Sequence, residues 1–333
     1  MCVYRVPKKF NMTKLSTIPR LSIAPLNTPV ERCDRLRQAV AGMPEVYVKH
    51  DDYIGSLVWG NKVRKLEYCY AEAQRLGADT VITCGGVQSN HARITAQTAL
   101  RFGFEVVLVL NGVIPAKPTA NLLINHKMGA KIYFVSTRRE RSVKMQTVQE
   151  ELEKAGKTVY SIPLGASDET GSLGFVKAME ELNAQEKSLG FHFDYIFHSS
   201  SSGGTQTGLE VGKRLFGMNI QIIGVSADNS VEEIRNEIMA ASGPIQKRLK
   251  MKKLINPDEI CVETGFIGPG YGVPSDESLE AEKIFAETEG ILLDQTYTAK
   301  AAAALIAYAR KGYFKATDRV LFWHTGGLIN LFQ

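Results

Sequence analysis

The chain has 333 residues, 44% of them hydrophobic and 23% charged, with a net charge of +5. That length supports a large core and fits two domains better than one; no apolar run approaches the roughly 20 residues a membrane helix needs, and the basic N-terminus MCVYRVPKKFNMTKL lacks the apolar stretch of a signal peptide. The five cysteines (Cys2, Cys33, Cys69, Cys84, Cys261) are odd in number and never spaced C-x-x-C, which points to a reducing cytoplasm and away from a disulfide framework or structural zinc.

Residues 1–35 read as irregular and proline-punctuated, with a helix expected over 30–40. A strand is predicted over 46–49, leading through Asp51, Asp52 and Gly55 to a Gly60-Asn61-Lys62 turn. Leu66, Tyr70, Ala73 and Leu76 then recur at helical spacing, and Gly77 stops the helix. The apolar run 80–83 reads as a buried strand that opens through Gly85, Gly86, Gln88 and Ser89 into a helix near His91. Strands at 106–110 and 131–135 alternate with helices at 120–128 and 142–155, each closed by a glycine. Such alternation over 65–160 predicts a parallel sheet covered by helices.

The strand 159–162 is expected to lead into a second region. There a helix is predicted over 171–185, a strand over 194–198 that empties into a Ser/Gly loop, and a helix over 207–216. A strand at 221–225, a polar helical stretch at 230–253, helices at 275–289 (Ser275 as N-cap) and 299–311, and a last strand at 319–323 complete the chain. The basic runs Arg138-Arg139-Glu140-Arg141 and Lys247 to Lys253 have no interleaved aromatics and read as solvated faces, not as a nucleic-acid surface. There is no internal repeat.

Two stretches carry chemistry. A strand that opens through a small-residue loop into a helix leaves backbone N–H groups free to hold an anion. That pattern occurs at 80–91 and again at Ser199–Thr205. The second loop is neither a P-loop, since no Gly-Lys-Ser/Thr closes it, nor a G-x-G-x-x-G turn. The string GPGYG at 268–272 is not a dinucleotide fingerprint either, because no strand precedes it and Pro274 follows. A phosphate cup, a carboxylate site and a lysine in a glycine turn are together what pyridoxal phosphate chemistry needs.

The strings GNKVRKLEY and GGVQSNHAR resemble those of the 1-aminocyclopropane-1-carboxylate deaminase and D-cysteine desulfhydrase family, pyridoxal phosphate enzymes of the tryptophan synthase β type. The resemblance continues through LNTPVERCDRL, LGFVKAMEEL, SSSSGGTQTG, YGVPS, DQTYTAKA and WHTGG. It implies an α/β fold of two open, twisted, mainly parallel sheets flanked by helices, with the cofactor between a large domain (1–64 and 161–333) and a small one (65–160). It also implies a homodimer. Trp59 departs from the pattern, since relatives commonly have glycine before GNK, and this bears on the pocket floor.

Position by position, Lys62 resembles the Schiff-base lysine, and Asn90 the residue that bonds the cofactor's ring hydroxyl. Ser89 with the N–H groups after it resembles the substrate-carboxylate holder and proton relay. Ser201, Ser202, Gly203, Gly204 and Thr205 match the phosphate loop, with Thr325 also on the cofactor side. Tyr271 and Tyr297 match two active-site tyrosines. His91 and Thr298 fall on the substrate side. His91 and His324 otherwise read as core or supporting residues, and Lys65 as an ordinary helix lysine.

The deaminases are expected to carry glutamate after the second tyrosine and leucine before the terminal Gly-Gly. Thr298 and Thr325 stand there, as in the D-cysteine desulfhydrase type. A carboxylate beside the pyridine nitrogen would keep it protonated; a threonine hydroxyl only hydrogen-bonds it, which suits β-elimination. The expected reaction is therefore conversion of D-cysteine to pyruvate, ammonia and hydrogen sulfide, with Lys62 or a relay through Ser89 removing the α-proton. Alternatives are the cyclopropane deaminase, a lyase acting on L-cysteate through a more basic pocket, and a non-catalytic binder of pyridoxal phosphate or another phosphate ligand. The expected partner is a small amino-acid substrate; no nucleic acid, membrane or metal is expected.

Overall fold

The computed structural model describes residues 14–55 and 59–332. The readings made for Cys2 and for the N-terminal segment before Lys14 lie outside these residues. In chain order the first part runs β1 (Val30–Arg32), α1 (Asp34–Ala39), β2 (Glu45–His50), α2 (Lys62–Arg75), β3 (Thr80–Gly86), α3 (Asn90–Ala99), β4 (Glu105–Asn111), α4 (Ala120–Lys127), β5 (Lys131–Val135), α5 (Glu140–Lys154) and β6 (Val159–Ile162). The second part runs α6 (Leu173–Leu189), β7 (Tyr195–Ser200), α7 (Gly204–Phe216), β8 (Gln221–Ser226), α8 (Val231–Arg248), β9 (Cys261–Glu263), α9 (Asp276–Glu289), α10 (Thr298–Arg310) and β10 (Arg319–His324).

These strands form two sheets. The smaller has the order β5-β4-β3-β6 and is parallel throughout. The larger has the order β1-β2-β10-β7-β8-β9, parallel except for the edge strand β1. The parallel strands read as continuous apolar runs because both of their faces are covered. Val106–Leu110 is buried throughout, between the core shared with α2, α3 and α4 and the core under α5. In the larger sheet, the alanines of α10 pack against Phe197 of β7 and Ile223 of β8 in one core. Capping boxes at Ser230 and Ser275 set the starts of α8 and α9.

Two expectations change. The helix expected over 30–40 begins only at Asp34, because Val30, Glu31 and Arg32 pair with Lys49, Val48 and Tyr47 of β2 as an antiparallel edge strand. The strand Val159–Ile162 pairs with Thr80–Thr83, so it closes the small sheet and does not lead into the second region.

Parallel strands deliver their C-terminal ends to one rim, and in open α/β sheets ligands sit there. Here the ends of β3, β7 and β10 face a common cavity. No helix of the described residues is long and apolar enough to cross a membrane.

Candidate active site

The cavity has a volume of about 590 Å³ and takes its walls from both sheets. Lys62, the first residue of α2, is half-buried on its wall. The turn before it approaches the end of β10 very closely. Gly60 has φ +151°, and a Cβ there would lie 2.7 Å from Thr325 O, so only glycine fits. Asn61 N donates to Thr325 O at 3.1 Å, and Asn61 Nδ2 donates to Thr205 Oγ1 at 3.4 Å. The lysine turn is thus tied to the last strand and to the loop after β7. Burial pushes the Lys62 ammonium down to about 8, with the Asp294 carboxylate opposing.

The loop after β7 forms a cup. Ser201, Ser202, Gly203 and Thr205 line the cavity. Gly204 lies behind them as the first residue of α7, where a Cβ would come within 2.6 Å of Ser167. Ser202 Oγ is 2.8 Å from Ser167 Oγ, and Ser201 Oγ donates to the Asp228 carboxylate. Lys65, expected as an ordinary helix lysine, is fully buried behind this cup. Its Nζ donates to Gly165 O at 3.0 Å and to Ser167 Oγ at 3.2 Å. Burial and the neighbouring Lys62 hold its ammonium well below the usual lysine range.

Ser89 caps α3, its Oγ accepting from Ala92 N at 3.2 Å. Asn90 Oδ1 accepts from Asn121 Nδ2 at 3.0 Å. His91 Nε2 is 2.8 Å from Thr83 Oγ1, whose own proton goes to Ile162 O at 2.7 Å. The network therefore assigns the imidazole proton to Nε2 and leaves Nδ1 without a partner among the described residues. Burial, then Lys62 and Lys65, keep His91 neutral.

The hydroxyls of Tyr271 and Tyr297 bond to each other on the opposite wall. Lys300 anchors the Tyr271 loop through Ile267 O (2.6 Å) and Gly270 O (2.7 Å). Burial, with Tyr271 adding to it, raises the Tyr297 phenol well above its ordinary range. Thr325 lines the cavity, its Oγ1 3.4 Å from Ser199 Oγ. Thr298, by contrast, does not line it, because its hydroxyl is 2.8 Å from Asp294 Oδ1 at the start of α10. His324 is a buried support, Nε2 donating to Leu292 O at 2.7 Å and Nδ1 accepting from Gly326 N at 3.1 Å.

Other residues of the site escape a sequence reading. Arg138 and Arg141, expected on a solvated face, line the cavity at the start of α5. The second basic run, Lys247 to Lys253, does keep its cationic residues exposed. Asp228 lies just after β8 and Asp294 just before α10, and each carboxylate is committed to site residues. Trp59 is buried on the cavity wall, with the Arg101 guanidinium 5.5 Å from its ring. Among the described residues no cluster of side chains could hold a metal ion, and Cys33, Cys69, Cys84 and Cys261 are free thiols.

The residues present fit pyridoxal phosphate. Gly203 takes a left-handed φ of +73° at the mouth of α7, so the N-terminal end of that helix lies at the cup. Ser200 Oγ and Asn111 Oδ1 are buried on the cavity wall with no partner among the described residues. Two parallel sheets that meet over such a cup and a lysine define a pyridoxal phosphate enzyme of the tryptophan synthase β type.

The comparisons with known proteins agree. Residues 21–326 match the family described as "Pyridoxal-phosphate dependent enzyme". The 1-aminocyclopropane-1-carboxylate deaminase of Rhizobium leguminosarum bv. viciae is 36% identical over 309 residues, covering 90% of this chain and 91% of its own. That of Bradyrhizobium sp. (strain ORS 278) is 34% identical over 325 residues, covering 95% and 96%. A crystal structure of an ACC deaminase homologue superposes with TM-score 0.88 at 31% identity, over 96% of this chain and 95% of that one. The processed form of threonine deaminase isoform 2 from Solanum lycopersicum, at TM-score 0.68 and 19% identity over 94% and 82%, shares the fold. The chain belongs to the pyridoxal-phosphate dependent enzymes, within the 1-aminocyclopropane-1-carboxylate deaminase and D-cysteine desulfhydrase family.

Proposed function

We propose that this enzyme eliminates the thiol of D-cysteine, giving pyruvate, ammonia and hydrogen sulfide. The observation that carries the reading is the neutral hydroxyl of Thr325 on the cavity wall beside Ser199, with no carboxylate contributed from position 298. A hydroxyl hydrogen-bonds a ring nitrogen without holding a proton on it, which suffices when the leaving group carries the charge away.

When bound, pyridoxal phosphate supplies the electron sink for loss of the α-proton. Ser201, Ser202, Thr205 and the N–H groups opening α7 hold its phosphate. Ser89 and the N-terminus of α3 hold the substrate carboxylate. Lys62, lowered to about 8, gives up its proton readily enough to act as nucleophile and α-proton base. Tyr297 stays protonated and can donate a proton to the departing sulfur. The released enamine hydrolyses to pyruvate and ammonia.

The names of the relatives favour a second reading, deamination of 1-aminocyclopropane-1-carboxylate. Thr298→Glu with Thr325→Leu tests the choice: ring opening should rise and desulfhydration fall. Unchanged activities would remove the threonine argument. The same reading takes the enzyme as a cytoplasmic homodimer, which the family resemblance and the free thiols support.

A further inference from the structure

Asn121, the second residue of α4, is fully buried and stands behind Asn90 at the centre of an amide network. Arg93 Nε donates to its Oδ1 at 2.8 Å. A guanidinium offers hydrogens and no lone pair, so this contact decides which end of the Asn121 amide is the oxygen. The amide nitrogen then faces three oxygens: Gln88 O at 2.9 Å, Asn90 Oδ1 at 3.0 Å and Asn330 Oδ1 at 2.7 Å. Gln88 Oε1 accepts from Asn121 N at 3.0 Å and ties the start of α4 to the same network.

The consequence reaches the cavity. With its Oδ1 held by Asn121, Asn90 has its Nδ2 as the free end. That nitrogen has no acceptor among the described residues. It lies at Gly327 on the cavity wall, where a Cβ would come within 3.0 Å of it. Asn90 therefore presents a donor, not an acceptor, to a ligand.

Two features of the network work against stability. Arg93 is fully buried, yet its Nη1 and Nη2 have no partner among the described residues. A buried charge left in that state is destabilising. Ala120, just before Asn121, takes a φ of +41°, a region in which a Cβ is strained. Neither feature strengthens the packing of α3 on α4; both hold one amide in one orientation.

We infer that Arg93 and Asn121 are positioning residues for the cofactor ring. Arg93 sets the Asn121 amide, and Asn121 sets the Asn90 amide. The fixed positive charge polarises both amides, so that Asn90 Nδ2 is a strengthened donor to the ring oxygen and favours its ionised form. The inference rests on Asn90 meeting that oxygen and not on which amino acid is the substrate.

The test reads the loaded protein without substrate, through three quantities: the ratio of visible to near-ultraviolet absorbance, which follows ionisation of the ring oxygen, the pyridoxal phosphate Kd, and Tm. Asn121→Asp is isosteric and gains an ion pair with Arg93, but has no hydrogens to donate. It should lower the ratio by about tenfold, the scale of one hydrogen bond to a charged group, and raise Kd while Tm is kept. Arg93→Met removes an unpaired buried charge, so it should lower the ratio while Tm holds or rises. Arg93→Lys should restore part of the ratio. An unchanged ratio in Asn121→Asp would overturn the inference. So would a ratio that falls in Arg93→Met only together with Tm, which would make the network structural. Asn90→Ala separates the two layers: if it lowers the ratio and Asn121→Asp does not, the relay fails alone, and if neither does, the placement of Asn90 fails with it.

Discussion

Thr298 and Asp294 close a hydrogen-bonded turn at the start of α10: Thr298 Oγ1 lies 2.8 Å from Asp294 Oδ1 and accepts from Asp294 N at 2.7 Å. The same buried carboxylate collects the N–H groups of Thr296 and Tyr297 at 3.1 Å and of Thr298 at 2.9 Å. Tyr297 is thereby aimed into the cavity by a cap in which Thr298 is a member, and of the two threonine residues only Thr325 lines the cavity.

The two threonines should therefore behave differently. Thr298→Val should cost about 1–2 kcal/mol of stability, read as a lower Tm, and leave the visible band of the loaded enzyme in place. Thr325→Val should leave Tm nearly unchanged and lower kcat on D-cysteine by about tenfold, the scale of one lost hydrogen bond to a reacting group. Equal effects of the two variants on kcat would show that both hydroxyls reach the cofactor.

Loading of the cofactor should depend on pH through Lys62. Its ammonium titrates at about 8, and only the neutral amine attacks the cofactor aldehyde. The loading rate of apoprotein should rise with pH up to about 8 and level off above it. Asp294→Asn removes the carboxylate that favours the charged form, so the midpoint should move down. Stopped-flow absorbance checks both; a midpoint near the ordinary lysine value would contradict the burial of this amine.

Lys65 should act on cofactor affinity. Its Nζ reaches Gly165 O and Ser167 Oγ, and Ser167 in turn meets Ser202 in the cup. Lys65→Met should raise the cofactor Kd by about tenfold, the scale of lost buried hydrogen bonds, with Lys62 still able to react. Titration of apoprotein with pyridoxal phosphate reads this directly.

The acid limb of stability should depend on Glu181. Burial pushes its carboxyl up, but Arg64 at 2.8 Å and Lys49 outweigh it and bring it down to about 2. A depressed folded value stabilises the fold above the unfolded value of about 4.5, and that stabilisation is lost as pH falls towards 2. Glu181→Gln should lower Tm at neutral pH and flatten its fall between pH 4.5 and 2. An unchanged acid profile would show that the Arg64–Glu181 pair contributes nothing to it.

The parts of the site that could be read from residue order are those in which local pattern and position coincide. β3–α3 and β7–α7 announce themselves because a buried parallel strand is an apolar run and an anion-holding turn needs small residues. What local pattern does not contain is which way a side chain faces once the sheets meet. Lys65 follows Lys62 by three residues, yet one reaches the cavity and the other the back of the cup. Arg138 and Arg141 have the composition of a solvated face, and only the convergence of parallel strand ends places them on the rim. Val30–Arg32 becomes a strand through its pairing with β2, a contact that three largely exposed residues do not encode locally. Thr298 sits in a matching motif, but the Asp294 cap turns its hydroxyl away.

The most direct measurement is keto-acid release by the purified, cofactor-loaded enzyme from D-cysteine, L-cysteine and 1-aminocyclopropane-1-carboxylate in parallel. Pyruvate with an equal amount of sulfide from D-cysteine, and little or no 2-oxobutyrate from the cyclopropane, is the expected result. Rapid 2-oxobutyrate release with D-cysteine left intact would contradict elimination and make ring opening the reaction of this site.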